Sequence, residues 1–323
     1  MKKLLIFGLL LLALSCSSND GSDKPIIWKL GHIFAEDNIM HKVALKFAEE
    51  VNSLTQGKLV IQVYPNSLEG SEIDNINGIR LGTSQMTITG ESLQTWAPKA
   101  AVMAVPYTFR SVEHVQKGIE SEIGKEIAQE IQDKVGLVPL LYVLRLPRNL
   151  TSNRPIRKPS DLNNLIVRIP NVPLFVKAWE TLGAKPTPMA LNEVFTSLQQ
   201  GTIQGQENPI DLVYTSGFYE VQKYINLTEH VYSWLYVVVG KKQLDSLPQE
   251  LKEKVFEASK IAQDYGLEEF NKISTEYVEL LKDKGVTFID VDKMEFENIV
   301  KPAMESSLTE EQKAIYNKIL AID

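Results

Sequence analysis

The sequence predicts two α/β lobes joined by segments of chain that cross between them. Length is the first reason, because 323 residues, even less a leader, exceed the size at which a single core commonly splits. The second is alternation: short apolar runs of strand length are separated by stretches with helical spacing, each stopped by glycine or proline. The third lies at the strand ends, where charged and amide side chains collect, the place at which open α/β sheets receive ligands.

Met1 to Lys3 followed by the apolar run Leu4 to Leu14 is a basic segment and an apolar segment too short to span a bilayer, so residues 1–16 read as an export signal. Cys16, the one cysteine of the chain, closes it. Either it is the lipidated first residue of the mature chain, or the leader is cut nearby and the cysteine is incidental. Residues 17–25 form a polar tether of disordered type. With no second cysteine, no internal disulfide is possible. A formal charge of −7 argues against nucleic acid and a broad basic membrane surface, so any anion must be held by a local arginine cluster. Neither metal-type His/Cys spacing, a phosphate loop nor a nucleophile elbow is present; no cofactor and no catalytic activity are expected.

Ile26 to Gly31 reads as the first strand. It leads into a polar loop, His32 to Asn38, and a helix with Met40, Val43, Ala44, Phe47 and Val51 on one face. His32, Glu36, Asp37 and His41 at that exit could meet ligand hydroxyls, or could be caps and solvated side chains. Lys58 to Tyr64 is a half-buried strand, Glu69 to Gly82 a polar helix, and Gln85 to Thr89 a further strand. Glu91 leaves its tip as a ligand contact or as an N-cap carboxylate for the next helix. A helix over Ser111 to Lys134 and a strand over Gly136 to Leu144 follow, with Arg145 and Arg148 at the strand's exit.

Leu165 to Ile169 is a strand whose ladder stops at Pro170, so Arg168 emerges at its end, facing an anion or a surface ion pair. Phe175, Ala178, Trp179 and Leu182 follow at helical spacing, with Gly183 as C-cap. Asn192 can cap a second helix that Gly201 ends, and Thr202 to Asn208 returns as a strand with Asn208 at its tip. Trp234 to Val239 is a strongly apolar strand. Leu247-Pro248 then opens an amphipathic stretch to Gly285, one long helix or two broken at Gly266, before a strand at Val286 to Asp290 and a helix at Glu310 to Leu320.

Arg168-Ile-Pro170, Gly183 to Met189, Glu193-Val-Phe195, Leu198 to Gly201, Gly205 to Pro209 and Phe218 to Tyr224, in that order, resemble the signature region of the solute-binding subunits of TRAP transporters, the DctP family. The resemblance covers nearly the whole mature chain. It implies the two-lobe periplasmic-binding-protein fold with an interlobe ligand cleft and a long C-terminal helix. The first lobe would be residues 26–146 with a returning segment at about 235–275, and the second residues 147–234 with the C-terminal part, about 276–323. It also implies that Arg168 clamps a ligand carboxylate, that Asn208 hydrogen-bonds the same end, and that Arg148 is the second arginine, with Arg145 as competitor. The family's usual Gly-x-Arg is here Leu146-Pro147-Arg148, so the local turn must differ. Glu91 resembles a ligand-binding acid of the sialic-acid members.

The implied partners are a small organic acid, the TRAP membrane subunits and, through the lipid anchor, a bacterial membrane, in a periplasmic or cell-surface location. The first-lobe candidates His32, Glu36, Asp37 and Glu91, mostly acceptors and mostly acidic, suit hydroxyls better than a second carboxylate, which favours a sugar acid such as a uronate, an aldonate or sialic acid. A C4-dicarboxylate, or a sensor role beside a receptor kinase, are the alternatives.

Overall fold

The computed structural model describes residues 24–322; the leader, Cys16 and most of the tether lie outside them. The chain begins β1 (Ile26–Gly31), α1 (Ile39–Leu54), β2 (Leu59–Tyr64), α2 (Glu72–Leu81), β3 (Met86–Thr89), α3 (Val112–Glu120), α4 (Glu122–Glu130), β4 (Leu137–Leu144). It continues as β5 (Arg148–Ser152), β6 (Ile166–Ile169), α5 (Pro173–Thr181), β7 (Lys185–Pro188), α6 (Val194–Gln199), β8 (Gly205–Pro209), α7 (Ile210–Thr215), β9 (Tyr224–Val231). It ends with β10 (Trp234–Gly240), α8 (Lys241–Asp245), α9 (Gln249–Asp283), β11 (Thr287–Ile289), α10 (Lys293–Ser307) and α11 (Glu310–Leu320).

Two sheets result, ordered β2-β1-β3-β10-β4 and β11-β9-β5-β8-β6-β7. In the first, β1 is parallel to β2 and β3, while β10 is antiparallel to β3 and β4. In the second, β6 is parallel to β7 and β8, while β5 is antiparallel to β8 and β9. Each sheet therefore takes in one reversed strand by a crossing: β5 enters the second directly after β4, and β10 enters the first directly after β9. This reversal brings the starts of β5 and β10 to the same cleft as the ends of β3, β6 and β8.

The helices follow from sequence locally. In α1, Met40, Val43, Ala44, Phe47 and Val51 are buried on one face, and the Asn38 side chain caps its start. Ser71 and Asp74 form a reciprocal capping box on α2, which ends at the left-handed Gly82. Helix α9 runs unbroken for 35 residues, roughly 50 Å at the helical rise, and packs against α1 and β4 on one side and α7 on the other. Gly266 does not break it. A Cβ there would lie 3.1 Å from Val43 Cγ2, so the missing side chain is what lets α9 approach α1 closely.

Three expectations change. The helix over Ser111 to Lys134 divides at Ser121, whose extended backbone and side chain restart it as α4. Strand β5 carries the polar string Arg148–Ser152, all of it buried, a pattern that does not read as a strand. The C-terminal part does not stay together: β11 pairs with β9 and α10 packs on α5, whereas α11 returns to the first sheet's helices. There Lys318 meets Glu126 at 2.7 Å, and His114 Nε2 contacts the Ile319 carbonyl at 3.0 Å. Burying Ile315, Tyr316 and Ile319 requires an apolar surface that α4 and its neighbours supply. No helix among the described residues is long and apolar enough to cross a membrane.

Strand β8, which carries the site, is held tightly against β5. A Cβ on Gly205 would fall 2.6 Å from the Thr151 carbonyl oxygen, backbone that cannot step aside. Gly205→Ala should therefore cost about 1–3 kcal/mol, measured as a lower urea midpoint at unchanged slope; wild-type stability would refute this packing.

Candidate functional site

Between the two sheets lies a cavity of about 70 Å³, partly open to solvent, whose walls include Arg145, Arg148, Arg168, Glu72, Glu91 and Asn208. Buried cations are costly unless paired, so the partners of the three arginines decide what the cavity can hold.

Arg148, on the first residue of β5, is paired twice with Glu207 of the adjacent β8: Nε donates to Oε2 at 2.5 Å and Nη2 to Oε1 at 2.7 Å. Its Nη2 also donates to the Glu207 carbonyl at 2.8 Å, and the guanidinium stands 5.2 Å from the centre of the Phe175 ring. Burial alone would raise the Glu207 carboxyl, but the charge of Arg148 and hydrogen bonds from His230 and Arg148 overcome it and hold it at about 2. His230 Nε2 lies 3.0 Å from the same carboxylate, and its Nδ1 is 2.9 Å from the Thr228 hydroxyl. Burial lowers the pKa of this imidazole; a neutral ring with its proton on Nε2 satisfies both contacts.

Arg145, at the crossing from β4 to β5, donates Nη1 to Glu91 Oε1 at 2.7 Å, and the Ser233 hydroxyl donates to the same oxygen at 2.9 Å. Thus Glu91 stands at the cavity as the counter-ion of an arginine, with Arg148 Nη1 3.6 Å away.

Arg168, one residue before the end of β6, is different. Its Nε and Nη2 both donate to the Met189 carbonyl, at 3.0 and 2.6 Å, and among the described residues no carboxylate forms an ion pair with it. The side chain is 3 % exposed, and burial brings its pKa down to about 10. A neutral carbonyl fixes the plane of the fork without cancelling the charge. This is a buried, preoriented cation facing a cavity, the arrangement that an incoming carboxylate would complete bidentately.

Asn208 stands beside it, its Nδ2 donating to Gln206 Oε1 at 2.7 Å; Gln206 in turn donates to the Thr151 hydroxyl at 3.0 Å. That amide relay orients Asn208. Opposite, at the first residue of α2, Glu72 accepts from the Thr89 hydroxyl at 2.6 Å. Burial raises its pKa, the Thr89 hydrogen bond opposes this, and neighbouring Glu91 raises it further. Sequence reading missed Glu72 because it sits inside a capping-box helix start, where an acid needs no other explanation.

The loop after β1 departs from expectation. His32, Glu36 and Asp37 do not line the cavity. His32 Nε2 instead meets His41 Nδ1 at 3.0 Å and its Nδ1 accepts from the Phe34 backbone at 3.2 Å; burial first, and His41 second, hold it at about 3. Glu36 and Asp37 are exposed on the outer side of the loop. From this loop it is Ile33 and Phe34 that wall the cavity.

The match to known proteins agrees with this geometry. Residues 30–311 fit the family model for bacterial extracellular solute-binding protein, family 7, also called DctP. A TRAP periplasmic solute-binding protein from Roseobacter denitrificans, solved with bound L-galactonate, is 45% identical with a TM-score of 0.90, covering 92% of this chain and 99% of that one. One from a Polaromonas species, bound to D-erythronate, is 32% identical with a TM-score of 0.88 over 92% and 99% of the two chains. The 2,3-diketo-L-gulonate-binding periplasmic protein of Escherichia coli is 31% identical over 83% of this chain and 82% of its own.

The Arg148, Glu207 and His230 cluster makes stability acid-sensitive in a defined direction. Glu207 is depressed from 4.5 to about 2, so its contribution is complete above the first value and lost as pH falls toward the second. His230 is lowered from 6.5, so folding also loses stability below that value. Glu207→Gln should cost about 3–5 kcal/mol at neutral pH by stranding Arg148, and the gap to wild type should close on acidification in urea titrations across pH. A gap independent of pH would refute the pairing.

Proposed function

The chain belongs to family 7 of the bacterial extracellular solute-binding proteins, the DctP family of TRAP transporter subunits, and from that premise we propose that it captures a sugar acid with a single carboxylate, an aldonate or a uronate, and delivers it to membrane subunits. The observation that carries this reading is how the three arginines of the cavity are paired. Arg145 is matched by Glu91 and Arg148 by Glu207, which leaves Arg168 as the one arginine of the three without a carboxylate. One open cation calls for one anion. A dicarboxylate would set its second carboxylate among the acceptor oxygens of Glu72 and Glu91 with no unpaired guanidinium to receive it, whereas hydroxyls can donate to the same oxygens.

In this reading Arg168 receives the carboxylate and Asn208 hydrogen-bonds the same end of the ligand. Glu72 and Glu91 meet hydroxyls farther along, while Arg148 frames the anion pocket from its ion pair with Glu207. The ligands bound by the relatives, L-galactonate and D-erythronate, have this chemistry. The mature chain is then tethered to a bacterial membrane through Cys16, a residue whose place after the apolar leader supports lipidation.

Arg168→Ala should weaken binding of L-galactonate or a close relative by about two to four orders of magnitude, since stranding one half of a buried ion pair costs about 3–5 kcal/mol. Arg168→Lys should lose most of the same, because a point charge does not reproduce the fork. Calorimetric titration of both variants decides it; near wild-type affinity in either overturns the clamp. A thermal-shift panel tests the class: aldonates or uronates should raise the melting temperature with concentration, and a response to succinate alone would reverse the choice. For the anchor, Cys16→Ala should move the protein from the membrane to the soluble fraction with ligand affinity unchanged.

A further inference from the structure

The two lobes also touch away from the ligand arginines, through three side chains that the carboxylate clamp does not use. Asn38 precedes α1 on the first lobe; Asp211 and Thr215 lie on α7, directly after β8 of the second. Asn38 Oδ1 accepts from the Met40 backbone N–H at 3.0 Å as the helix cap, which fixes the sense of the amide. Its Nδ2 must then point across the cleft. It donates to Asp211 Oδ2 at 3.1 Å and to the Thr215 hydroxyl at 3.2 Å. Asn38 is fully buried and Asp211 6 % exposed, and Asp211 Oδ1 has no hydrogen-bond partner.

A buried carboxylate with a vacant oxygen is costly where it stands. Burial pushes the Asp211 carboxyl up, and the charge of Arg145, a wall of the cavity, and the hydrogen bond that Asn38 donates to its other oxygen oppose this. Moving the lobes apart would carry α1 away from α7 and break both Asn38 contacts. We propose that Asn38, Asp211 and Thr215 form a latch that exists only in the shut form, and that they are positioning residues for ligand retention rather than ligand contacts. The ligand meets the second-lobe clamp through Arg168; the latch holds the first lobe down over it. The inference rests on the two lobes closing around the ligand, as proposed above.

Asn38→Asp keeps a side-chain oxygen for the helix cap but sets a carboxylate against Asp211. The double variant Asn38→Asp with Asp211→Asn reverses the partners and restores the hydrogen bond. In a Cys16→Ser background, which has no other cysteine, spin labels at the exposed positions Leu81 on α2 and Met294 on α10 report lobe separation with or without ligand. The expected result is a shift of the distance distribution to longer values in Asn38→Asp and its return in the double variant. Release of L-galactonate should speed up by about tenfold or more in the single variant and recover in the double. The same distance distribution in all three proteins, or a double variant as open as the single one, overturns the latch. Failure of the wild type to bind L-galactonate would count against the ligand reading, while the distances still decide the latch.

Discussion

A buried positive charge must be matched, and how each of three arginines meets that requirement organises this protein. Arg148 is matched within the fold by Glu207, across the β5 and β8 pair, and so binds the second sheet's central strands to each other. Arg145 is matched by Glu91 beside the crossing segment, with Ser233 of the other crossing on the same oxygen. That pair ties both crossings to the tip of β3. Arg168 is left to a backbone carbonyl, so its charge stands in the cavity wall without a carboxylate partner among the described residues. In the reading proposed above, that unmatched charge is what the ligand carboxylate meets.

Much of this was legible in sequence, for identifiable reasons. Arg168 and Asn208 declare themselves because each closes a short apolar or returning strand just before a proline, which stops the ladder and leaves the side chain at the sheet's end. The long C-terminal helix was legible from its amphipathic spacing, with a break at Gly266 as the alternative; the packing against Val43 explains why the glycine is there. Strand β5 was not legible. Four of its five residues are polar, and neighbouring strands satisfy them, the Glu229 backbone donating to Asn149 and Thr151 donating to the Gln206 carbonyl, whereas periodicity counts only apolar side chains.

The site's first-lobe wall was read less well than its second-lobe wall. Proximity to a strand end suggested His32, Glu36 and Asp37, yet the loop turns so that His32 faces His41 and the apolar Phe34 faces the cavity. Loop direction depends on backbone hydrogen bonds such as Asn66 N to the Phe34 carbonyl, 2.9 Å, contacts between segments distant in sequence that no local pattern encodes. Glu72 illustrates the converse: a residue with a sufficient local role can hold a second, tertiary one.

The crossing of β10 into the first sheet has a consequence for how the molecule is made. It lies between β3 and β4, so those two strands, synthesised and exported well before it, have no direct neighbour in each other. Until residues 234–240 emerge from the translocation channel, the first sheet is three strands and, apart from them, the lone β4, each with an open inner edge. Pairings this distant in sequence form late and slowly, and unpaired edges invite association between chains. The vulnerable interval in the life of this protein is therefore its delivery across the membrane, when the earliest-arriving strands must wait for one that follows about ninety residues after β4.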